Sequence, residues 1–381
     1  MATGCGYTAP AMHEKDNLKY PWDNHPAPGT TQEVAPGVRW LSMPMPGSLS
    51  HINLYLLEDK DGWWVIDTGL GLENVTELWH QIFSQELGNR PVIGVICTHM
   101  HPDHIGQASM ITDYFRCPLY MTRAEYYQAR TFAGGGASHH SSWIGQQFYE
   151  RAGMPSDYLE QLAKMWSERS SEGMSMPAMP SGYQRLQNGQ VLTIGHNDWQ
   201  VVVGSGHSPE HACLYSAALK VMISGDQILP IITSNVSVHP TEPEANPLKD
   251  WMDSHDRFLS TPSDTLVLPA HNLPFYGVRE RLRGLISHHD DRMLAIEEAC
   301  VEPHIAKDLL PVLFARELDP RQMMMALGEA IAHVHLLMYR NRIERTLHED
   351  GQYRFLSIDP DLPRRAHPGT HDAPSDGPVM V

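Results

Sequence analysis

Between Thr98 and His104 the chain carries His99, His101, Asp103 and His104 within six residues, in the order His-x-His-x-Asp-His. Imidazole and carboxylate at this density suit a divalent cation of borderline hardness, zinc first, with manganese or iron as alternatives. His99 and His101 are two apart, so they project from one side of an extended backbone. Asp103 and His104 follow a bend and can point elsewhere, which suits two adjacent ions better than one. Further candidates each stand just past an apolar run. Gly206-His207-Ser208 follows Trp199–Val203, Gly225-Asp226 follows Lys220–Ile223, and Ala270-His271 follows Thr265–Leu268. With 23 histidines in the chain, chance pairs are expected. Recurrence of His and Asp at strand ends is what carries the metal reading.

The chemistry follows from the donor set. Two cations held close together lower the pKa of a water between them and give a hydroxide nucleophile at neutral pH. One cation would polarise a carbonyl or phosphoryl oxygen while the other stabilises a leaving oxygen or sulfur. Asp103 is the expected catalytic residue, orienting the bridging hydroxide and accepting its proton. No Gly-x-Ser-x-Gly elbow offers a serine nucleophile instead. The elements that must position these groups are also visible. Val92–Cys97 is short, apolar and rich in β-branched residues, a buried strand. Pro102 and Asp103 then open a helix. Strands are expected at Val38–Leu41, Ile52–Leu57, Trp63–Ile66, Leu119–Met121 and Val191–Ile194, and an amphipathic helix at Leu72–Leu87.

Taken together, the His99–His104 motif, Gly206-His207-Ser208, Gly225-Asp226, Ala270-His271 and Asp67-Thr68-Gly69 resemble the metallo-β-lactamase-fold superfamily of metallohydrolases, over about residues 36–276. The resemblance implies an α/β fold, an αββα sandwich of two mixed sheets packed face to face, with a dinuclear site at one edge. It implies that His99, His101 and His207 hold the first metal, that Asp103, His104 and His271 hold the second, and that Asp226 bridges them. Asp67 would support the ligands from behind. The residue types are those of the glyoxalase II and lactonase branches. Asp226 stands where the zinc β-lactamases have cysteine, which makes antibiotic hydrolysis at most a secondary activity. Many relatives have glycine in place of Glu210, so that corner of the site differs. His211, beside it, reads either as a support for the site or as a structural histidine.

Composition bounds the rest. A chain of 381 residues fits two units plus tails better than one core. The expected divisions are an extended arm over 1–35, the sandwich over 36–276 with a helical insertion at about 123–187, a helical unit over 277–357 and a disordered Pro-rich tail over 358–381. A formal charge of −17 argues against a nucleic-acid surface. Five cysteines, odd in number, widely spaced and without Cys-x-x-Cys, read as reduced thiols in a cytoplasmic protein. No signal peptide is evident, and no apolar run reaches the length of a membrane span.

The insertion carries His139, His140, Trp143, Tyr149 and Trp166, with a Gly134–Gly136 run and a Met174–Pro177 break. It reads as a substrate lid, as a solvated helical hairpin or as a homodimer contact. Thr233–His239 is a loop on which Asn235 or His239 would touch substrate or cap a turn. Helices are expected over Val278–Ala299, Ile305–Leu318 and Arg321–Thr346, then a short strand Tyr353–Leu356. This resembles a C-terminal winged-helix-like domain, whose expected role here is to wall the pocket rather than to bind DNA. The expected activity is hydrolysis of a small ester, thioester or lactone with two zinc ions. The alternatives are a phosphodiesterase or ribonuclease, which the charge opposes, and a mononuclear iron persulfide dioxygenase, which would need fewer ligands.

Overall fold

The computed structural model describes residues 13–15, 17–47, 49–133, 142–161, 164 and 178–359. His139, His140, Trp166, the Gly134–Gly136 and Met174–Pro177 segments and the tail beyond residue 359 lie outside the described residues.

A hairpin of β1 (His13–Lys15) and β2 (Leu18–Tyr20) precedes the sheets. The first sheet has seven strands in sequence order: β3 (Thr31–Ala35), β4 (Val38–Pro44), β5 (His51–Asp59), β6 (Gly62–Ile66), β7 (Val92–Ile96), β8 (Leu119–Met121) and β9 (Gln184–Arg185). It is antiparallel up to β6 and parallel from β6 onward. The second sheet has five strands, β10 (Val191–Ile194), β11 (Asn197–Gly204), β12 (His211–Ser216), β13 (Val221–Gly225) and β14 (Leu266–Pro269), with only β13 and β14 parallel.

Strand alternation explains the layers. Trp40, Tyr55 and Ile66 of the first sheet meet Trp199, Val201 and Leu214 of the second in one buried cluster. The opposite faces are also apolar, so each must be covered. On the first sheet, helices Glu73–Gln85, Ala108–Phe115 and Arg123–Ala133 bring Trp79, Ile82, Ile111 and Tyr126 onto Leu54, Val65 and Val95. On the second, helices Pro247–His255, Val278–Ala299 and Pro320–Tyr339 cover Cys213, Met222 and Val267. The result is the αββα arrangement expected from the sequence. Tyr149, from the insertion helix Trp143–Arg151, is buried in this second outer cluster, whereas Trp143 is 71% exposed.

Three boundaries differ from the sequence reading. Regular structure begins before Val38, because Lys19 pairs with Tyr276 and β3 pairs with β4. These are long-range partners that local composition does not reveal. The expected helix at Ile305–Leu318 is a 3₁₀ turn at Ala306–Leu309 and one helical turn at Leu310–Leu313. Phe314 then leaves helical conformation. The last helix stops at Tyr339 rather than Thr346, with Asn341 in the left-handed region. Residues Ile343–Leu347 form β15, antiparallel to β16 (Tyr353–Ser357) across the Asp350-Gly351 turn. An alternating Ile-Glu-Arg-Thr-Leu run with a strand partner in reach pairs rather than coils. Among the described residues no helix is long and apolar enough to cross a membrane.

The outer helical layer contains buried histidines. His255 donates through Nδ1 to the Trp251 carbonyl at 2.7 Å, and His333 to the Glu329 carbonyl at 2.8 Å. Burial pulls His255 and His333 down to about 4. Burial, with Arg292 close by, pulls His288 to about 3. The unfolded chain takes up these protons near pH 6.5 while the folded chain refuses them until much lower pH. Their contribution is therefore complete above pH 6.5 and is lost as pH falls towards 4. Each ring should cost about 1 kcal/mol of stability between pH 6.5 and 5.5. Urea unfolding at the two pH values checks this. A loss of unchanged size in His255→Gln and His333→Gln would show that these rings do not drive it.

Candidate metal centre

The ligands expected from the sequence come together. His99, His101, His207 and Asp226 form one cluster, and Asp103, His104 and His271 form a second. Asp226 ties the two: its Oδ2 lies 3.4 Å from both His104 Nε2 and His207 Nε2, and its Oδ1 lies 3.5 Å from His271 Nε2. Asp103 Oδ2 stands 3.5 Å from His271 Nε2 and 3.6 Å from His104 Nε2. Five of these seven residues stand just past strand ends. His99 and His101 follow β7, His207 follows β11, Asp226 follows β13 and His271 follows β14. Asp103 and His104 sit in the helical turn Pro102–Ile105.

The contacts on the far side of each ring fix which nitrogen faces the cluster. His207 Nδ1 donates to the Asn235 carbonyl at 2.8 Å, and His271 Nδ1 faces the His51 carbonyl at 3.3 Å. His104 Nδ1 donates to Asp67 Oδ2 at 2.8 Å. Asp67 also accepts from the Thr98 amide at 2.7 Å and from the Thr98 hydroxyl at 2.8 Å. The Thr98 hydroxyl, having given its proton to Asp67, accepts from His99 Nδ1 at 3.1 Å. With Nδ1 so occupied, a neutral His99 or His207 ring carries its lone pair on Nε2. His99 Nε2 then faces His207 Nε2 at 3.2 Å and His101 Nδ1 at 2.8 Å. The facing lone pairs of His99 and His207 repel at that separation unless a cation lies between them. His104 Nε2, His271 Nε2 and Asp226 Oδ1 are buried and make no hydrogen bond. Donor type, burial and direction therefore fit divalent cations.

The electrostatics divide the site. Burial, reinforced by neighbouring rings, holds His99 well below the usual histidine range and His101 at about 3, so both rings are neutral at pH 7, the form a metal site requires. His104 behaves oppositely. Burial disfavours its charge, but Asp67, Asp103 and Asp226 outweigh that and raise it well above the usual value. Burial also opposes ionisation of Asp226, yet His104 and His271 hold it well below the usual carboxylate range.

Other residues support the cage, and Glu125, Asn53 and Tyr55 among them were not singled out in the sequence. Glu125 is buried and accepts from the Met100 amide at 3.0 Å and the Glu210 amide at 2.7 Å, joining the two loops that carry the histidines of the first cluster. The only local signal was Thr122-x-x-Glu125, the pattern of a helix-capping box. Glu210 caps that same helix, accepting the Ala124 amide at 2.9 Å. Asn53 and Tyr55 bind the Pro269 carbonyl at 3.0 and 2.7 Å, stitching β5 to the end of β14 beside His271. His211 is not in either cluster: its Nε2 accepts from the Asp226 amide at 3.1 Å, and its ring stacks on His99. A Cβ at residue 225 would stand 2.5 Å from His211, and φ there is +51°, so glycine is required beside Asp226.

Comparison with known proteins identifies the family. Residues 47–271 match the Metallo-beta-lactamase superfamily. The chain belongs to that superfamily. As a member it is a metal-dependent hydrolase with a divalent metal site. Residues 293–358 match the metallo-beta-lactamase-like C-terminal domain. A beta-lactamase domain protein of Burkholderia ambifaria is 43% identical, with 89% of this chain and 98% of that one aligned at a TM-score of 0.81. A metallo-beta-lactamase family protein of Thermus thermophilus is 25% identical, with 85% and 100% aligned at 0.70. The acyl-coenzyme A thioesterase MBLAC2 of Homo sapiens is 24% identical over 52% of this chain and 65% of its own length. The chain thus spans just under two thirds of that relative.

Two outcomes follow. Glu125→Ala orphans two buried amides and should destabilise the fold by about 2–4 kcal/mol, read by urea unfolding. Asp67→Asn removes the charge that holds His104 and should weaken metal retention by about 10–100-fold, read by elemental analysis after dialysis.

Proposed function

We propose that the chain is a dinuclear metal-dependent hydrolase of an acyl thioester, with simple esters and lactones as related substrates. The observation that carries this reading is the pair of adjoining ligand clusters that share Asp226. The thioester choice is supported by the similarity to MBLAC2, named as an acyl-coenzyme A thioesterase. Two zinc ions suit the nitrogen and oxygen donors best, with manganese or iron as alternatives.

Ions held there would supply an activated water at neutral pH and polarise the acyl carbonyl. The protein residues have separate tasks. Asp226, with a side chain 1% exposed, joins the two halves. Asp103 is the more accessible carboxylate, at 15%, and is the group that orients water and takes its proton. His104 and His271 hold Asp103 in place from the inner side. The leaving thiolate needs no strong acid, because a thiol is acidic enough to leave as an anion. The phosphodiesterase alternative is opposed by the −17 charge. The helices from Val278 onward with the β15–β16 hairpin serve, in this reading, as a winged-helix-like packing unit.

Elemental analysis of protein purified without added metal should give about two zinc or manganese per chain. A panel of acyl-coenzyme A thioesters, lactones and a phosphodiester should show turnover with thioesters first. One iron per chain with oxygen consumption would replace the proposal with the persulfide dioxygenase reading. Asp226→Ala should lose metal from both positions. Asp103→Asn should cut kcat by about 10²–10⁴-fold. Unchanged rate and metal content in Asp103→Asn would remove its assigned role.

A further inference from the structure

Helix Pro320–Tyr339 runs beside the loop that follows β13, and the two are joined at successive points. The Val238 amide donates to the Gly328 carbonyl at 3.0 Å, and the Ser237 hydroxyl lies 3.1 Å from the Met325 carbonyl. A Cβ at residue 328 would come within 2.8 Å of Ser237 Cβ, so glycine permits this approach. Further along, His335 donates to the Ala245 carbonyl at 2.8 Å. The helix is therefore a template against which the loop is laid.

Asn235 sits on this loop and faces two ways. Its backbone carbonyl accepts the Nδ1 proton of His207 at 2.8 Å. Its side-chain amide donates to Glu329 Oε2 at 3.4 Å, and its Oδ1 accepts from Ser237 at 2.7 Å. Glu329 Oε1 lies 3.5 Å from Arg292, whose guanidinium rests over Phe314. Glu329 is only 4% exposed. A carboxylate buried among helices with two long contacts is a poor source of stability, because its desolvation is costly and its partners are distant. Its placement is explained instead by what it holds.

We propose that Glu329 is a positioning residue for the metal centre, fixing through Asn235 the ring of His207 so that Nε2 faces His99 and Asp226. The C-terminal helices thereby set the geometry of a ligand carried by the sandwich. The inference rests on the reading of His207 as a metal ligand.

The test is cobalt(II) titration of the full-length protein after chelator treatment, reading both affinity and the visible d–d spectrum, with circular dichroism to check folding. The variants are Glu329→Ala, Glu329→Gln, Asn235→Ala and, as reference, His207→Ala. Glu329→Ala and Asn235→Ala should weaken cobalt binding by about 10–100-fold and alter the spectrum. Glu329→Gln keeps an oxygen for the Asn235 amide and should restore the spectrum of the unaltered protein. Unaltered affinity and spectrum in Glu329→Ala and Asn235→Ala, with binding lost in His207→Ala, would overturn the inference and leave the metal site standing. If His207→Ala binds cobalt like the unaltered protein, the ligand assignment fails and the inference fails with it. Should Glu329→Ala not fold, Asn235→Ala and Glu329→Gln decide by the same criteria.

Discussion

Imidazole nitrogens and carboxylates that converge on one dry volume are costly to bury, and this constraint organises the structure. His99, His104, Asp226 and His271 have side chains at most 1% exposed and converge on the same small volume. Such a group is expensive to bury, and cations among the donors would offset that cost. The surrounding network keeps the donors aimed there. Asp67, Thr98, Asn235 and His51 each take up the atom on the far side of a ligand ring or of its neighbour.

The donors come from both sheets, so the interface between the sheets has to be rigid. Asn53 and Tyr55 cross it to the end of β14, and Trp40 donates to Asn53 at 2.9 Å inside the same buried layer. Glu125 reaches in from the insertion side and joins the loops of His99–His101 and His207. The outer helices cover the opposite face of the second sheet and lie along the loop that carries Asn235. Ligand positions at strand ends are therefore held by elements distant in sequence, which is how loops can carry a precise site.

Much of this was legible in the chain because its signals are local. The His99–His104 motif needs only one turn to bring its donors together. Gly206-His207, Gly225-Asp226 and Ala270-His271 each follow an apolar run long enough to read as a strand. The layered α/β fold was implied by the family resemblance that these motifs carry. Glu125 was not legible as a clamp, because Thr122-x-x-Glu125 reads equally as an ordinary helix start, and its partners lie on other loops. The β15 strand was misread as helix for a related reason. Its partner β16 is visible only once the Asp350-Gly351 turn folds the two together. His211 was ambiguous between structure and support until the Asp226 amide was seen on its ring.

The sequence alone determined which residue types were available for chemistry, the strand ends on which they stand, and the class of cation they suit, because these depend on side-chain identity and short-range periodicity. Tertiary structure decided which ring nitrogens of His99, His104, His207 and His271 face inward, and which remote residues hold those rings. Those properties depend on contacts between segments far apart in the chain, such as His207 with Asn235 and Asp67 with His104. No local pattern encodes them, since the partner's direction and distance exist only after the sheets have packed.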